Sequence, residues 1–69
     1  MMTADQFEAL AELLRLRGGD SQEAARLVLV DGLSTTEAAK RCDLSPQAVS
    51  KVLASCRRGM ELVSRVMGA

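Results

Sequence analysis

The sequence predicts an all-α fold, a compact bundle of about five short helices in one domain over residues 1–69. Three observations predict it. Apolar residues recur at helical spacing along most of the chain. Three of those stretches are preceded by Ser, Thr or Asp with Gln or Glu three residues later, a helix-start signature. The apolar residues, 48% of the chain, are mostly Ala, Leu and Val with four Met, which suits close helix packing better than a sheet sandwich.

Thr3 opens the first helix, with Gln6 completing a capping box and Phe7, Leu10, Ala11 and Leu14 forming the inward stripe. Gly18-Gly19 ends it. Asp20 caps the second helix, with Glu23 three residues on; Ala24, Leu27 and Val28 face inward and Gly32 closes the helix. The run Leu27-Val28-Leu29-Val30 before Asp31-Gly32 also fits a strand entering a hairpin. The helix-forming residues 22–26 ahead of it, and the lack of an alternating partner strand, favour helix. Ser34 caps a short third helix ending near Cys42, with Glu37 as the return arm of the box. Ser45 caps the fourth, with Pro46 at the first helical position, where its missing N–H costs nothing. Ala48, Val49, Val52, Leu53 and Cys56 are its apolar positions. Gly59 is expected to break or bend the chain, leaving a fifth short helix over 59–68 with the stripe Met60, Val63, Val66 and Met67.

Composition excludes several functions. The 69 residues contain no His, Trp or Tyr, one Phe and two Cys. The usual ligands of a closed zinc site are missing. So are Ser-His and Cys-His nucleophile pairs and aromatic platforms for single-stranded bases. A binding module is expected rather than an enzyme, with no cofactor, metal or small-molecule substrate. No segment is long enough to span a bilayer, and no secretory leader is visible. Cytoplasmic location with Cys42 and Cys56 reduced follows as the expectation.

The formal net charge is zero, yet it is unevenly spread. Residues 1–31 carry six acids against three bases, −3 in all, and residues 32–69 carry six bases against three acids, +3. A neutral chain of this kind can present a basic face.

Residues 34–57 read as a helix-turn-helix: a short capped helix, the connection Asp43, Leu44, Ser45, and a second capped helix. Ala39 is small where the two helices approach. Asp43, four residues later, falls where the backbone is left-handed, a site Asp tolerates. Val49 plugs the space between the helices, and Leu44 and Val52 fill the remaining inner positions. With the apolar positions of 46–57 inward, Gln47, Ser50, Lys51 and Ala54 point outward, with Ser45 and Pro46 at the tip. Such a face meets base edges in a major groove. Gln47 suits adenine, Lys51 suits guanine O6 or N7, Ser50 donates or accepts, Ala54 leaves room for a base methyl, and Pro46 is a further base-reading candidate at the tip. Ser34, Thr35, Thr36, Lys40, Arg41, Ser45, Arg57 and Arg58 are candidate phosphate contacts, which set register without reading sequence. The stripe Met60, Val63, Val66 and Met67 either folds back or pairs with a second copy.

At this level of detail the chain resembles the KorA/TrfB group of plasmid-encoded transcriptional repressors. Thr3-x-x-Gln6-Phe7, Ala25-Arg26-x-Val28-Leu29-Val30-Asp31-Gly32, Ala38-Ala39, Leu44 and Ala48-Val49-Ser50 carry the resemblance, over roughly residues 3–58. It implies a homodimeric repressor on an inverted-repeat operator, acting through an all-helical domain. Ser50 and Lys51 match base-reading positions of that group, with Lys51 in place of a Gln. Pro46 and Ser55 stand where the group has Arg, so two contacts are altered. Larger members carry a separate dimerisation segment; here the last helix or another surface is expected to serve. The sequence thus points to a DNA-binding repressor, partnered by double-stranded DNA and a second copy. The alternative is a protein-interaction module on the same scaffold.

Overall fold

Thr3 Oγ1 accepts the Gln6 N–H at 3.1 Å, and Gln6 Oε1 accepts the Thr3 N–H at 3.0 Å, so the first helix starts with the reciprocal cap its residues allow. The computed structural model describes every residue except Met1, Arg17 and Ala69. It contains four helices, α1 (Ala4–Leu13), α2 (Asp20–Leu29), α3 (Thr35–Arg41) and α4 (Pro46–Gly68), and no strand among the described residues. Residues 27–29 close α2, so the hairpin alternative is not adopted.

The helices end by one device, used three times. After α1, Arg15 is left-handed (φ 57°), its N–H bonds Glu12 O and the Leu16 N–H bonds Ala11 O. After α3, Asp43 is left-handed (φ 55°), its N–H bonds Lys40 O and the Leu44 N–H bonds Ala39 O. These paired bonds satisfy the last free carbonyls of each helix. Gly32 (φ 78°) plays the left-handed part after α2, with the Leu33 N–H reaching Leu27 O.

Three local expectations are corrected. The first helix stops at Leu13, before the Gly18-Gly19 pair, because Arg15 already makes the reversal. Gly19 (φ 84°), not Asp20, is the residue before α2, and no side chain caps that end. Asp20 and Glu23 instead lie in the first turn, where acids complement the helix dipole. Ser34 Oγ does accept the Glu37 N–H at 3.1 Å, but no return bond from Glu37 is formed.

The largest correction is at Gly59. α4 runs unbroken for 23 residues, so the expected fourth and fifth helices are one. Glycine costs a helix interior about 1 kcal/mol relative to alanine. Here the missing side chain is what admits α1: a Cβ at Gly59 would lie 2.9 Å from Leu14 Cδ2 and 3.3 Å from Leu10 Cδ1.

The core is one cluster fed by all four helices. Phe7, Leu10 and Ala11 come from α1, Ala24, Ala25 and Leu27 from α2, Ala38 and Ala39 from α3, and Val49, Leu53 and Cys56 from α4. Five alanines among eleven residues let the helix axes approach closely. The radius of gyration is 11.7 Å, near the roughly 11 Å expected for this length. At about 1.5 Å per residue α4 is roughly 34 Å long, which accounts for most of the 38 Å long axis.

Arg26 ties the end of α2 to the turn after it. It donates to both Glu23 carboxylate oxygens and to Asp31 Oδ2 at 3.2 Å. The hydrogen bond from Arg26 holds the Glu23 carboxyl below the usual carboxylate range. That contribution is in place above the unfolded pKa of Glu23 and is lost as pH falls through the lower folded value. The pair is about half exposed, so solvent screening keeps it small. Glu23→Gln should therefore lower the thermal midpoint slightly at neutral pH, with the difference from the parent vanishing in strongly acidic solution. Urea denaturation tests Gly59. Gly59→Ala should change stability by less than about 1 kcal/mol, its helix gain offset by displacement of a flexible Leu14 methyl. Gly59→Leu should cost about 1–3 kcal/mol through overpacking.

Candidate nucleic-acid interface

The candidate site is built on the first half of α4 and braced by α3. Ser45 Oγ accepts the Ala48 N–H at 3.2 Å and Pro46 takes the first helical position, so the N-terminal tip is fixed by its own residues. The reversal at Asp43 then sets how α3 joins it. Ala38 and Ala39 of α3 are buried in the same cluster as Val49 of α4, which is wholly buried. A helix turns about 100° per residue. Val49, Leu53 and Cys56 fall within one arc, and Gln47, Ser50, Lys51 and Ala54 fall on the opposite side. All four of these outward residues are exposed, as are Ser45 and Pro46. The fold thus brings together the six residues at the tip and outer face of α4, with the side chains of Gln47, Ser50 and Lys51 exposed and the Ser45 hydroxyl engaged as the cap.

The candidate phosphate contacts are more scattered. Ser34 and Thr36 are exposed at the start of α3, while Thr35 between them is half-buried. The Ser34 hydroxyl already accepts a backbone bond as a cap, and Ser45 does the same on α4. Each keeps its own O–H as a donor. Lys40 and Arg41 are exposed in the last turn of α3. Arg57 and Arg58 are exposed along α4, and Arg58 donates to Glu61 Oε1 at 3.3 Å. Arg58 therefore has an exposed intrahelical partner for one of its five N–H donors. Ser55, exposed beside the outward face of α4, donates to the Lys51 carbonyl at 3.4 Å.

The C-terminal stripe divides. Met60 is half-buried and packs on the core, whereas Val63, Val66 and Met67 are exposed. Two neighbours of this stripe were not among the sequence candidates. Leu13 of α1 and Leu62 of α4 are both exposed and line a groove with Val63, Val66 and Met67. Leu13 gave a signal in the sequence, since it lies just outside the inward stripe of α1. Its place beside α4 depends on the close approach at Gly59.

Cys42 and Cys56 are free thiols. Cys56 is wholly buried on the inner face of α4, and burial pushes its thiol above the ordinary range. No helix among the described residues is long and apolar enough to cross a membrane.

A family model described as TrfB plasmid transcriptional repressor (KORA) matches residues 2–69, nearly the whole chain. No curated protein and no solved structure matches it.

The two thiols report on the inner face of α4. Iodoacetamide at mildly alkaline pH should label the half-buried Cys42 well before Cys56, by at least about tenfold, because only thiolate reacts and Cys56 is both covered and held protonated. Equal labelling rates, followed by mass spectrometry, would mean that α4 is not seated on the core.

Proposed function

Because the chain belongs to the TrfB plasmid transcriptional repressor family, we propose that it represses by binding an inverted-repeat operator in double-stranded DNA as a homodimer. The DNA-binding unit is a helix-turn-helix over 34–57, made of α3, the reversal at Asp43 and the first half of α4. A transcriptional repressor is not an enzyme class, and occupancy of a promoter suffices for its action. The polymerase is excluded without any chemical step, in the cytoplasm where the plasmid resides.

One observation carries this reading. The first three turns of α4 are anchored by a buried apolar face and present Gln47, Ser50, Lys51 and Ala54 on the opposite, exposed side. A helix held in this way can enter a major groove with its N-terminal residues at base edges. Lys51 donates to guanine O6 or N7, Gln47 pairs with adenine N6 and N7, and Ser50 serves either partner. Ala54 leaves room for a thymine methyl, and Pro46 stands beside the bases at the tip. Ser34, Thr35, Thr36, Lys40, Arg41, Ser45, Arg57 and Arg58 fix the register on the phosphates. The segment 59–68 carries the dimer contact through Met60, Val63, Val66 and Met67.

The exposed apolar groups Leu13, Val66 and Met67 favour a second reading, a protein-interaction module. Salt separates the two. Binding through several phosphates weakens steeply as salt rises, whereas an apolar contact hardly responds.

Selection of bound duplexes from a random library identifies the operator, and fluorescence anisotropy on that duplex tests the readers. Lys51→Ala and Gln47→Ala should each weaken binding by about 1–3 kcal/mol and relax the preference at one base pair. A folded variant with unaltered affinity and preference would remove that face from the reading role. Recovery of no duplex by folded protein would favour the protein-interaction module.

A further inference from the structure

An apolar trough runs along α1 where that helix meets α4 and the end of α2. Gln6, Ala9 and Leu13 form its α1 wall, and Met60, Val63 and Ser64 its α4 wall. It continues past Met2, Gln6 and Met60 to Val28 and Leu29 at the end of α2. Its walls are fixed in advance. The Met2 N–H donates to the Leu29 carbonyl at 3.0 Å, the Gln6 side chain is held by its bond to the Thr3 N–H, and Met60 packs on the core. From Met2 to Leu13 the trough follows α1 for roughly 15 Å, the length of about three helical turns.

No charged side chain among the described residues lines the trough, so charge stands on its rim. Asp5 and Glu12, both exposed, lie one helical turn to either side of Ala9. On α4, Arg57 precedes Met60 by one turn and Glu61 precedes Ser64 by one turn, and their charges offset. At the end of α2, Arg26 is held between Glu23 and Asp31, one acid in excess. The rim is therefore acidic on its α1 and α2 sides. Met2 and Met60 sit where the two parts of the trough join, and methionine adapts its flexible side chain to varied apolar shapes.

An acidic rim around an apolar, methionine-lined trough complements one class of partner, a helix with an apolar stripe flanked by Lys or Arg. Met60 and Val63 also stand in the proposed dimer stripe; Met2, Gln6, Ala9, Val28 and Leu29 do not. Met60 lies roughly 15 Å along α4 from Ser50, so a helix seated in the trough leaves the outward face of the first half of α4 open. We propose that this trough binds a basic amphipathic helix of an unlike protein. The contact rests on neither the operator reading nor the dimer.

The probe is a synthetic peptide of about 14 residues with leucines at helical spacing and lysines elsewhere, beside a counterpart with glutamate in place of lysine. Each is titrated into the isotope-labelled full chain, and amide chemical shifts are followed. The lysine peptide should bind at micromolar concentration, at least about tenfold more tightly than the glutamate peptide, and shift the amides of Gln6, Ala9 and Leu29. Ala9→Arg, at an exposed helical site, should keep the helical circular dichroism and lose about tenfold or more in affinity, because it fills the trough and adds a like charge. Glu12→Lys should lose about threefold or more. Asp20→Lys, the same reversal at the far end of α2, should change affinity by less than about twofold at physiological salt. Equal affinity for the two peptides would overturn the charge complementarity, and shifts centred on Val66 and Met67 would overturn the trough. Failure of both peptides to bind at about 1 mM would overturn the helical partner. Self-association of the free chain that Ala9→Arg abolishes would make a second copy the occupant and overturn the unlike protein.

Discussion

Val49, Leu53, Cys56 and Gly59 follow one another along a single face of α4, and each is buried where that helix meets the rest of the fold. α1, α2 and α3 all pack against it. A chain of 69 residues has little apolar area to spare, since a domain this small leaves roughly 40% of its unfolded surface exposed even when folded. Close approach of the helix axes is how it gains enough contact. Five core positions are alanine, and α1 meets α4 at a glycine. The larger groups, Phe7, Val49 and Cys56, fill the spaces between. No buried polar or charged side chain occurs among the described residues, so the core is held by packing alone.

That one-sided burial organises the outer face as well. α4 is fixed along its inner side and needs nothing from its outer side, which carries the exposed polar residues Gln47, Ser50 and Lys51. The short helix α3 shares the core through Ala38 and Ala39, and its end is closed by the bonds around Asp43. The angle between α3 and α4 is thereby set by backbone bonds and by small buried side chains rather than by surface ion pairs. The ion pairs present are local. Arg26 closes the α2 turn and Arg58 pairs along its own helix, and neither links α3 to α4.

Much of this was legible in the residues. The caps at Thr3, Ser34 and Ser45 hold because a short hydroxyl accepts a backbone N–H two or three residues ahead, a purely local event. The left-handed backbone at Asp43 followed from its spacing after Ala39, and the outward direction of Gln47, Ser50, Lys51 and Ala54 followed from the apolar positions between them. The resemblance to the family rests on short runs such as Val28-Leu29-Val30-Asp31-Gly32, and the family model matches residues 2–69. The misreadings have a common cause. In chain order Gly18-Gly19 and Gly59 both look like helix ends, but the left-handed Gly18 and Gly19 lead into α2 after a reversal already made at Arg15, and Gly59 is helical. Arg15 made the reversal after α1 without a glycine, since the two backbone bonds it completes offset its strain.

The sequence by itself determined the helical class, the starts of α1, α3 and α4, and the polar arc on the first half of α4. These depend on interactions within a few residues and on the helical repeat. Only the tertiary structure decided that α4 passes Gly59 unbroken, and that Leu13 joins Val63, Val66 and Met67 in one exposed face. Both follow from α1 lying against α4 at Gly59, a contact between residues more than forty positions apart. Local propensity counts a glycine as a cost to its own helix; it cannot register the neighbouring helix that the missing Cβ admits.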